Sequence, residues 1–501
     1  MTLFVASCHE STRDHSITLD SLAALRTEAY VLDTAAISHR LERLAYADKG
    51  TSAADARTRN YYLHHGQRLW TSRLGVVEGA DSVLHYVEQA ADWGFNREHF
   101  CYTAIRRDLE RARTLAFDSH DNTVNDVLAR LEYHLTKAYL NYTAGQRFGY
   151  VDPQKLLNSI EVRDSDSVRV TYNALYDIPR QRADKQFFAI ALHKIACDSA
   201  AVFLRESRPD DPLYAQLQQQ LRDNPGQYGR AQLLVNMERC RWRLSDYPWR
   251  HTKYVLVNLA SQHLEAVDGD SVLSMRIGLG SPTTKTPMLT SHIKRIDLNP
   301  QWIIPRSIIK NSVARHAGDS AYFAHHNYFI RHRPTGKEIN PRRVTQAMLE
   351  SADYLVIQRG GAGNALGRII FRFDNNFSVY LHDTSNPAVF SSSDRSVSHG
   401  CVRVERPLDL AVFLLKDKDS ETTDRLRYSA AFYDNPDKLP QDELERTKDP
   451  KRYLSSLSLN PTVPLFITYY TLYPDRQGRL RQFPDIYGYD ALLYESLKPY
   501  L

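Results

Sequence analysis

The residue types around Cys401 are those of a thiol nucleophile. This cysteine lies in the run Ser398–Arg403, and His382 precedes the run. Only the thiolate form of cysteine attacks a carbonyl carbon, and nearby positive charge or backbone dipoles favour that form. His399 and Arg403 stand two residues to either side of Cys401. The pattern therefore predicts a nucleophile at Cys401 with His382 as its base.

Gly400 and His382 would supply the other parts of such a site. Glycine lets the backbone approach a substrate closely, and the N–H groups of Gly400 and Cys401 could hold a developing oxyanion. His382 alone could equally be a surface histidine at the end of a strand. Its neighbours Asp383 and Thr384 can accept hydrogen bonds, and its pairing with Cys401 favours the base. Nucleophile, base and oxyanion donors are the parts that an acyl transfer needs.

The other cysteines and glycines do not indicate a cofactor site. Cys8, Cys101, Cys197 and Cys240 form no CxxC pair, and the chain has no HExxH. The last three cysteines are most simply buried apolar residues, although a Cys197–Cys240 bridge remains open. The glycines of residues 360–367 lack the GxGxxG spacing and the P-loop lysine. We therefore predict no metal, nucleotide or other cofactor.

Composition describes an ordinary globular protein. Of 501 residues, 42% are hydrophobic and 25% are charged, and a net charge of +5 comes from 64 basic and 59 acidic residues. This balance, without a long basic block, argues against a nucleic-acid partner. Mild basicity is compatible with a polyanionic matrix. No stretch approaches the ~18–20 apolar residues of a membrane span.

The N-terminal residues carry a partial export pattern. Leu3–Cys8 is apolar, ends in small residues and stops at a cysteine, which is typical of a bacterial lipoprotein signal. The basic region and most of the apolar region of such a signal are missing, so a chance match is the alternative. We favour the signal. Residues 1–8 are then its remnant, Cys8 is the candidate lipidation site, and the lipid is the only expected membrane contact.

The first half of the chain has helical periodicity. Apolar residues from Asn122 to Tyr142 form one stripe, and Gly145 and Gly149 are expected to break this helix. Ala80–Ala91 has the same period, and residues 185–244 are expected to form three further helical segments. Such stripes are most simply the core of a helical domain.

From Lys253 onward the period becomes that of strands. His263–Ile277 predicts a hairpin that turns at Asp268-Gly269, and further strands are expected at 368–373, 377–381 and 463–472. The predicted fold is α+β and multidomain, with a helical N-terminal part and a mainly antiparallel, sandwich-like β domain. Its predicted parts are a helical scaffold domain at 30–170, a helical connecting region at 171–247, a catalytic domain at 248–501, and a mixed insert in the catalytic domain at about 300–365.

The residues around Cys401 resemble the signature of the L,D-transpeptidase family with a YkuD-type catalytic domain. That signature is a histidine followed at a set distance by Ser/Thr-His-Gly-Cys, and here fifteen residues separate His382 from Ser398. The resemblance extends to the large Gram-negative branch of the family, and residues 50–165 resemble its scaffold domain more loosely. The segments that carry this wider resemblance are 278–287, 298–302, 364–367 and 381–384.

The resemblance implies an enzyme of peptidoglycan biosynthesis, cell-wall organisation and cell shape. Cys401 would attack the third, diamino-acid residue of a tetrapeptide stem, release the terminal D-alanine, and pass the acyl group to an acceptor amine. His382 would relay protons as general acid and base, and residues 300–365 would form a lid over the site. A carbapenem would acylate Cys401. The expected place of action is the periplasm of a Gram-negative bacterium, with other cell-wall enzymes as further candidate partners.

Four residues are expected to contact substrate: Arg403, His399, Ser398 and Tyr380. Arg403 would orient the substrate or order the loop. Residues 185–245 lack the glycine-rich pattern of the small peptidoglycan-binding module of larger relatives, so we expect no such module there. Two alternatives stay open. One is a thiol carboxypeptidase or endopeptidase acting on stem peptides, and the other is a non-catalytic envelope scaffold.

Overall fold

The structure is a computed structural model, and it describes residues 27–72, 75–158, 161–163, 170–172, 174–223, 226–361, 363–416, 418–431 and 448–501. The predicted signal remnant 1–8, with Cys8, lies outside these residues. The chain forms two compact units. A helical unit contains the described residues up to Val151, Arg180–Arg243 and Asp490–Leu501, and a β-rich unit contains Asp152–Pro179 and Leu244–Tyr489. The predicted order of a helical part followed by a β-rich part is confirmed.

One long helix, Val124–Phe148, organises the helical unit. Thr123 and Asp126 form a reciprocal capping box at its first turn, which satisfies backbone N–H groups that a helix start leaves unpaired. Of the two glycines predicted to break this helix, Gly145 lies inside it and Gly149 ends it. A Cβ at position 145 would lie 2.1 Å from the Tyr150 ring, so the glycine makes room for an aromatic contact inside the helix. The helix ends at Gly149, whose φ is +90°.

The other elements of this unit are shorter. The helix predicted at Ala80–Ala91 is observed at Gly79–Glu88, and residues 185–244 contain four helices where three were predicted. No helix among the described residues is long and apolar enough to cross a membrane. The remaining helices of the unit are Thr34–Ala47, Ala53–Leu63, Tyr102–Thr114, Lys185–Ala196, Ala200–Glu206, Pro212–Asp223 and Arg230–Arg241, and its strands are β1 (Thr71–Ser72) and β2 (Gly75–Val76).

Three cysteines lie in the helical unit, and all three are free thiols. Cys240 is buried, Cys101 is partly exposed and Cys197 is exposed on the surface. The disulfide between Cys197 and Cys240 that the sequence left open is therefore absent from this structure.

The β-rich unit is built on a ten-stranded sheet that closes on itself. Eight strands follow one another around the ring in the order β9, β14, β15, β17, β8, β7, β6 and β18, and β18 pairs with β9 to close it, while β5 and β16 attach at its sides. Most pairings are antiparallel, but β15–β17, β16–β8, β6–β18 and β5–β9 are parallel. These strands are β5 (Tyr176–Asp177), β6 (Lys253–Asn258), β7 (His263–Asp268), β8 (Ser271–Gly280), β9 (Met288–Leu298), β14 (Ile369–Phe373), β15 (Leu381–His382), β16 (Ser396–Ser398), β17 (Val402–Val404) and β18 (Ser456–Thr468).

Smaller elements complete the unit. They are β3 (Glu161–Arg163) paired with β4 (Val170–Tyr172), β19 (Leu472–Pro474) paired with β20 (Leu480–Gln482), and helices at Pro153–Leu157, Pro407–Leu414 and Ser420–Ala431. The helix Tyr489–Leu497 belongs to the helical unit from Asp490 onward.

The hairpin of β7 and β8 shows why this sheet has a core face and an outer face. Successive side chains of a strand point to opposite faces. Leu264 on β7 and its partner Met275 on β8 are buried, whereas Glu265 and its partner Ser274 are partly exposed. The predicted hairpin is confirmed, and its apolar face lines the interior of the closed sheet.

Two strand predictions were wrong at their ends. A strand was predicted at 377–381, but only Leu381–His382 pair as β15. The side chain of Asn375 accepts the N–H groups of Phe377 and Val379 and donates to the Val379 carbonyl, so it takes backbone groups that a strand would use. The late strand predicted at 463–472 is observed at Ser456–Thr468.

The insert at 300–365 is a folded subdomain with a core of its own. Its sheet has the order β10, β13, β11, β12, and its helices pack against that sheet. The strands are β10 (Trp302–Ile303), β11 (Tyr328–His332), β12 (Glu338–Ile339) and β13 (Tyr354–Gln358), and the α-helices are Arg306–Ile308, Ser320–His325 and Gln346–Glu350. The buried core consists of Ile304, Ile309, Val313, Ala314, Phe323, Ile330, Val344, Leu349 and Val356.

Close backbone contacts tie the two ends of this insert together. The Asn364 side-chain amide donates to the carbonyls of Pro300 at 3.2 Å and Arg359 at 2.8 Å. A Cβ at Gly360 would lie 2.3 Å from the carbonyl oxygen of Asn299, so only glycine allows this approach. The Asn299 N–H donates to the Arg368 carbonyl at 2.7 Å. The insert therefore leaves and re-enters the sheet at one point.

Gly280 supports the loop that holds the Cys401 motif. A Cβ at this position would lie 2.1 Å from the Thr284 carbonyl oxygen and 2.7 Å from the Thr286 nitrogen. The Thr284 hydroxyl in turn donates to the Ser398 carbonyl at 2.8 Å. The chain after β8 therefore folds back on Gly280 in order to hold the segment that leads to Cys401.

We expect Gly280→Ala to lower the free energy of unfolding by about 2–3 kcal/mol, because the obstructing atoms are backbone atoms that cannot rotate away. Gly269→Ala is the matched control, since Gly269 lies in the turn of the same sheet, at a φ of +57° with open space around it. Its cost should be about 1 kcal/mol, from the backbone conformation alone. Denaturant unfolding measures both values, and equal losses would contradict this account of Gly280.

Candidate active site

His382 is buried at the junction of three strands. It pairs with Ile370 on β14 and with Arg403 on β17, and it is 4% exposed. Its Nδ1 is hydrogen-bonded to the Asp383 carbonyl oxygen. A carbonyl oxygen only accepts, so Nδ1 carries the proton and Nε2 keeps its lone pair. The ring is therefore held in the tautomer that can accept a proton at Nε2.

Burial lowers the pKa of His382 to about 4, because a charged imidazolium would lose its hydration. Hydrogen bonds to the backbone carbonyls of Asp383 and Leu366 act in the opposite direction, and the nearby Arg403 guanidinium lowers the pKa further. His382 is consequently neutral at neutral pH, which is the form that a general base requires.

Cys401 lies directly before β17, on the same side of the sheet as His382. Leu381 is paired with Val402, and the Val402 N–H donates to the Tyr380 carbonyl at 2.9 Å. Cys401 and Arg403 are two residues apart and share a face, and Arg403 is the partner of His382. From the strand spacing and the rise per residue, the Cα atoms of Cys401 and His382 lie about 8 Å apart, within reach of two facing side chains.

Burial raises the pKa of the Cys401 thiol above its ordinary value. The backbone of Tyr380 and the guanidinium groups of Arg403 and Arg372 act in the opposite direction. At neutral pH the resting pair is thus a thiol beside a neutral imidazole, and the thiolate has to form as the proton moves to His382.

Arg403 is a half-buried cation without an anionic partner among the described residues. Its side chain lies over Gly278, where a Cβ would be 3.4 Å from the Arg403 Cβ. Its Nε is buried and makes no hydrogen bond within the described part of the chain. Burial lowers the pKa of this guanidinium, and the Cys401 thiolate is the charge that raises it. The arrangement leaves donor groups beside the thiol that can receive an anion.

The turn between β16 and Cys401 is held by Ser398. The Ser398 hydroxyl donates to the Cys401 carbonyl at 2.6 Å and accepts the Gly400 N–H at 3.1 Å. The Ser398 carbonyl accepts the Ser281 N–H at 3.0 Å. Ser398 is 4% exposed and supports the turn, and its predicted contact with substrate stays a prediction.

Gly400 adopts a φ of +110°, a backbone conformation that side chains rarely allow. Its N–H is engaged with Ser398, so this predicted oxyanion donor could serve a substrate only after leaving the serine hydroxyl. The N–H of Cys401 makes no hydrogen bond to any described residue. The donor that is ready for an oxyanion is therefore the N–H of the cysteine itself.

The other two predicted contacts, His399 and Tyr380, lie on either side of the motif. His399 is exposed and lines a cavity of about 320 Å³ together with Thr284, Phe377 and Val379. Tyr380 is half-buried, and the Arg372 guanidinium lies 4.6 Å from the centre of its ring. Strand register thus places Cys401, His382, Arg403 and Tyr380 on one face of the sheet, and His399 lines the adjoining cavity together with Gly400.

Two supporting residues, Asp383 and Asn364, make contacts that the sequence did not predict. The Asp383 carboxylate accepts the N–H groups of Arg368 at 2.9 Å and Thr384 at 2.7 Å. A Cβ at Gly367 would lie 2.4 Å from the Asp383 side chain. Asp383 therefore anchors the strand that carries His382 to the end of the insert, and Asn364 closes that end. Each lies in a segment that carried the family resemblance, but its contacts are made with residues distant in sequence.

Metal ligation has no support in this region. No group of three or more histidine, cysteine, aspartate or glutamate side chains within the described ranges is arranged to hold a metal ion. The acidic residue nearest to His382, Asp383, is committed to backbone N–H groups.

Comparison with known families assigns most of the chain. A model of the L,D-transpeptidase (YkuD) catalytic domain matches residues 252–449, and a model of a Scaffold domain matches residues 55–221. A Haemophilus influenzae protein described as "Putative L,D-transpeptidase" is similar to this chain, with 28% identity over 255 residues. The aligned part covers 49% of this chain and 48% of that protein, so the chain spans about half the length of the curated relative it matches.

The raised pKa of the Cys401 thiol leads to a prediction about how its alkylation rate depends on pH. Because burial raises the Cys401 pKa, alkylation of Cys401 by iodoacetamide should keep accelerating through neutral pH, with a midpoint above the ordinary value of 9.0. Mass spectrometry of the Cys401 peptide measures this rate, and Cys401→Ala provides the blank. His382→Ala should leave the midpoint unchanged or lower it, since no imidazolium stabilises the thiolate. A plateau below pH 7 that His382→Ala abolishes would instead indicate a preformed ion pair.

Proposed function

We propose that this protein, whose residues 252–449 match the L,D-transpeptidase (YkuD) catalytic domain and whose residues 55–221 match a Scaffold domain, cross-links peptidoglycan stem peptides through a Cys401 acyl-enzyme. The observation that carries the proposal is the alignment of Cys401, His382 and Arg403 on one face of neighbouring strands inside the matched domain. The expected place of action is the bacterial cell envelope, where such stems occur.

The first half-reaction forms the acyl-enzyme. The Cys401 sulfur attacks the carbonyl carbon of the third stem residue, and the thiol proton moves to His382 Nε2. As the tetrahedral intermediate collapses, the new C–S bond stays and the C–N bond to D-alanine breaks. The same proton then passes from His382 to the leaving amine. The Cys401 N–H is the donor that meets the transient oxyanion.

The second half-reaction transfers the acyl group. An acceptor amine attacks the thioester carbonyl, a C–N bond forms and the C–S bond breaks. The proton lost by the amine passes through His382 to the Cys401 sulfur, which restores the starting enzyme. A neutral His382 suits both steps, because it must accept a proton before it can donate one.

The insert at 300–365 supports transfer over hydrolysis. It is a folded subdomain with a closed base, tied by Asn364 and Gly360 to the strands that lead to His382. A lid of this kind excludes water, which would otherwise compete with the amine for the thioester. This connection supports the proposed role of the insert as a lid over the site.

The decisive experiment incubates the purified protein with a disaccharide-tetrapeptide and separates the products by mass. Wild type should release D-alanine and form cross-linked dimers. Cys401→Ala should lose all activity, and His382→Ala should retain only about 10⁻²–10⁻⁴ of it, the usual range for a general acid–base residue. Cys197→Ala is the matched control, because this thiol lies on the surface of the helical unit.

Three outcomes would contradict the proposal. Full activity of Cys401→Ala would remove the thiol mechanism. Shortened monomers without dimers would identify a carboxypeptidase that uses water as the acceptor. No turnover by wild type, together with an unmodified mass after incubation with a carbapenem, would favour a non-catalytic scaffold.

Arg403 makes a separate prediction within this function. If its unpaired guanidinium binds a substrate carboxylate, Arg403→Met should lower kcat/KM for the tetrapeptide about 10- to 100-fold, the effect of losing a hydrogen bond to a charged group. A donor whose terminal carboxylate is amidated should react equally with both proteins. A loss of the same size with both donors would mean that Arg403 orders the loop without touching this carboxylate.

A further inference from the structure

A second cavity opens beside the hairpin of β19 and β20, away from the Cys401 motif. We call it the hairpin cavity. Its volume is about 440 Å³, within the range of sites for small ligands. Its floor is formed by β6, β7 and β8, and its wall is the hairpin with its turn at 475–479. The residues that line it are Leu256, Asn258, Ser261, His263, Glu265, Ser274, Tyr473, Pro474, Asp475, Arg476, Gln477, Arg479, Arg481 and Phe483.

Strand register puts this cavity on the same face of the sheet as the catalytic residues. His382 is paired with Arg403, and Arg403 is paired with Gly278 on β8. Paired residues of neighbouring strands point to one face, and so do residues two apart on one strand. Gly278 therefore shares its face with Arg276 and Ser274, and Ser274 lines the cavity.

The floor of the cavity continues that face across the sheet. Arg276 is paired with His263, Ser274 with Glu265, and Glu265 with Leu256 on β6. The opposite face of these strands carries the buried core, including Leu264 and Met275. The thiol and the hairpin cavity therefore lie on the same outer face of the sheet.

Their separation matches the length of a short peptide. His263 lies at the edge of the cavity nearer to Cys401. Its strand, β7, is two strands away from β17, and along the strands His263 is displaced by four residues from Cys401. With about 4.8 Å between strands and about 3.3 Å per residue, the Cα atoms are roughly 16 Å apart. An extended peptide of four or five residues spans about 13–18 Å. A peptide with one end at Cys401 can therefore place its other end in the cavity.

The charges in the cavity favour an acidic ligand. Asp475 accepts the backbone N–H groups of Gln477 and Arg479 in its own turn and pairs with the Arg479 guanidinium at 3.2 Å, so its charge is balanced within the turn. The Arg481 Nε lies 3.8 Å from the Asp475 carboxylate and the Arg476 Nε lies 3.7 Å from the Glu265 carboxylate, so both arginines form ion pairs that are too long to be hydrogen bonds. The lining carries three arginines against these two carboxylates. Both guanidinium groups are about half exposed, at 60% for Arg481 and 49% for Arg476. Their donors remain available to a carboxylate.

We propose that the hairpin cavity binds an acidic peptide, namely the second stem peptide whose amine accepts the acyl group from Cys401. Carboxylates of that stem contact Arg481 and Arg476, and its backbone crosses the outer face of β8 towards the thioester. The identity of the occupant rests on the proposed function. The cavity, its charge and its position on the catalytic face do not.

The first test measures binding without chemistry. The protein carries Cys401→Ala, and the probe is a stem tripeptide that ends in its diamino-acid residue and so has no D-alanine to release. Calorimetric titration should show binding that weakens at least tenfold in Arg481→Glu and further in the Arg476→Glu/Arg481→Glu pair. Ser274→Phe, which fills the floor without changing charge, should weaken it as well. Arg427→Glu is the matched control, because this exposed arginine lies on the helix Ser420–Ala431, outside the cavity, and should bind as wild type does.

A probe with amidated carboxylates identifies the contact. It should bind more weakly to the Cys401→Ala protein, and Arg481→Glu should no longer change its affinity. Equal loss of affinity for both probes in Arg481→Glu would contradict a carboxylate contact. Undiminished tripeptide binding in Arg481→Glu, in the double variant or in Ser274→Phe would overturn the assignment of the cavity. Thermal unfolding of each variant confirms that the fold is intact.

The second test separates this inference from the proposed function. In protein with Cys401 intact, Arg481→Glu should release D-alanine at the wild-type rate in the first turnover, measured as the burst that accompanies acylation of Cys401 by a tetrapeptide donor. At limiting acceptor it should form dimers at a rate at least tenfold lower than wild type. An equal fall of both rates would place the cavity on the donor side and overturn the assignment to the acceptor. If wild type forms no dimers, the proposed function fails, while the calorimetric titration still decides whether the cavity binds an acidic peptide.

Discussion

The hydrogen-bonded register of β17 is the constraint on which the candidate site depends. This three-residue strand pairs in parallel with β15 and antiparallel with β8. A shift by one residue on either side would turn Arg403 into the core and Val402 outwards, since the side-chain period of a strand is two. Val402 and Val404 are at most 1% exposed, so their packing in the core opposes such a shift. Apolar packing on the core face of β17 therefore fixes the positions of the reactive residues on its other face.

Burial of the site then determines its electrostatics. The same enclosure lowers the His382 pKa and raises the Cys401 pKa, because each charged form would lose hydration. Neither residue is therefore charged at rest, and the sheet does not have to stabilise an isolated buried ion pair. Charge develops only as the proton moves, and at that moment the Arg403 guanidinium is already in place beside the sulfur. The Cys401–His382 pair is thus neutral at rest, and the unpaired Arg403 is positioned for the charge that develops on the sulfur during proton transfer.

The sequence predicted those features that depend on nearby residues. The Cys401 motif, its pairing with His382, the β7–β8 hairpin and the long helix around Leu131 all follow from short-range patterns. Errors arose where a distant or competing contact decides the outcome. Gly145 continues a helix because the Tyr150 ring lies against it, and residues 377–381 fail to form a full strand because Asn375 takes their N–H groups. The closure of the sheet between β9 and β14 joins residues that no local period connects.

Supporting residues were harder to predict than reactive ones for the same physical reason. The thiol and imidazole were recognisable from their chemistry alone, whereas the functions of Ser398, Asp383 and Asn364 lie in the backbone groups they bind. Each satisfies N–H or carbonyl groups at a turn that would otherwise be unpaired, and such groups are costly to bury. Arg403 is the exception, because its Nε is buried and remains unsatisfied. The Cys401 N–H also has no partner among the described residues, and under the proposed function a bound substrate would offset the cost of both unpaired donors.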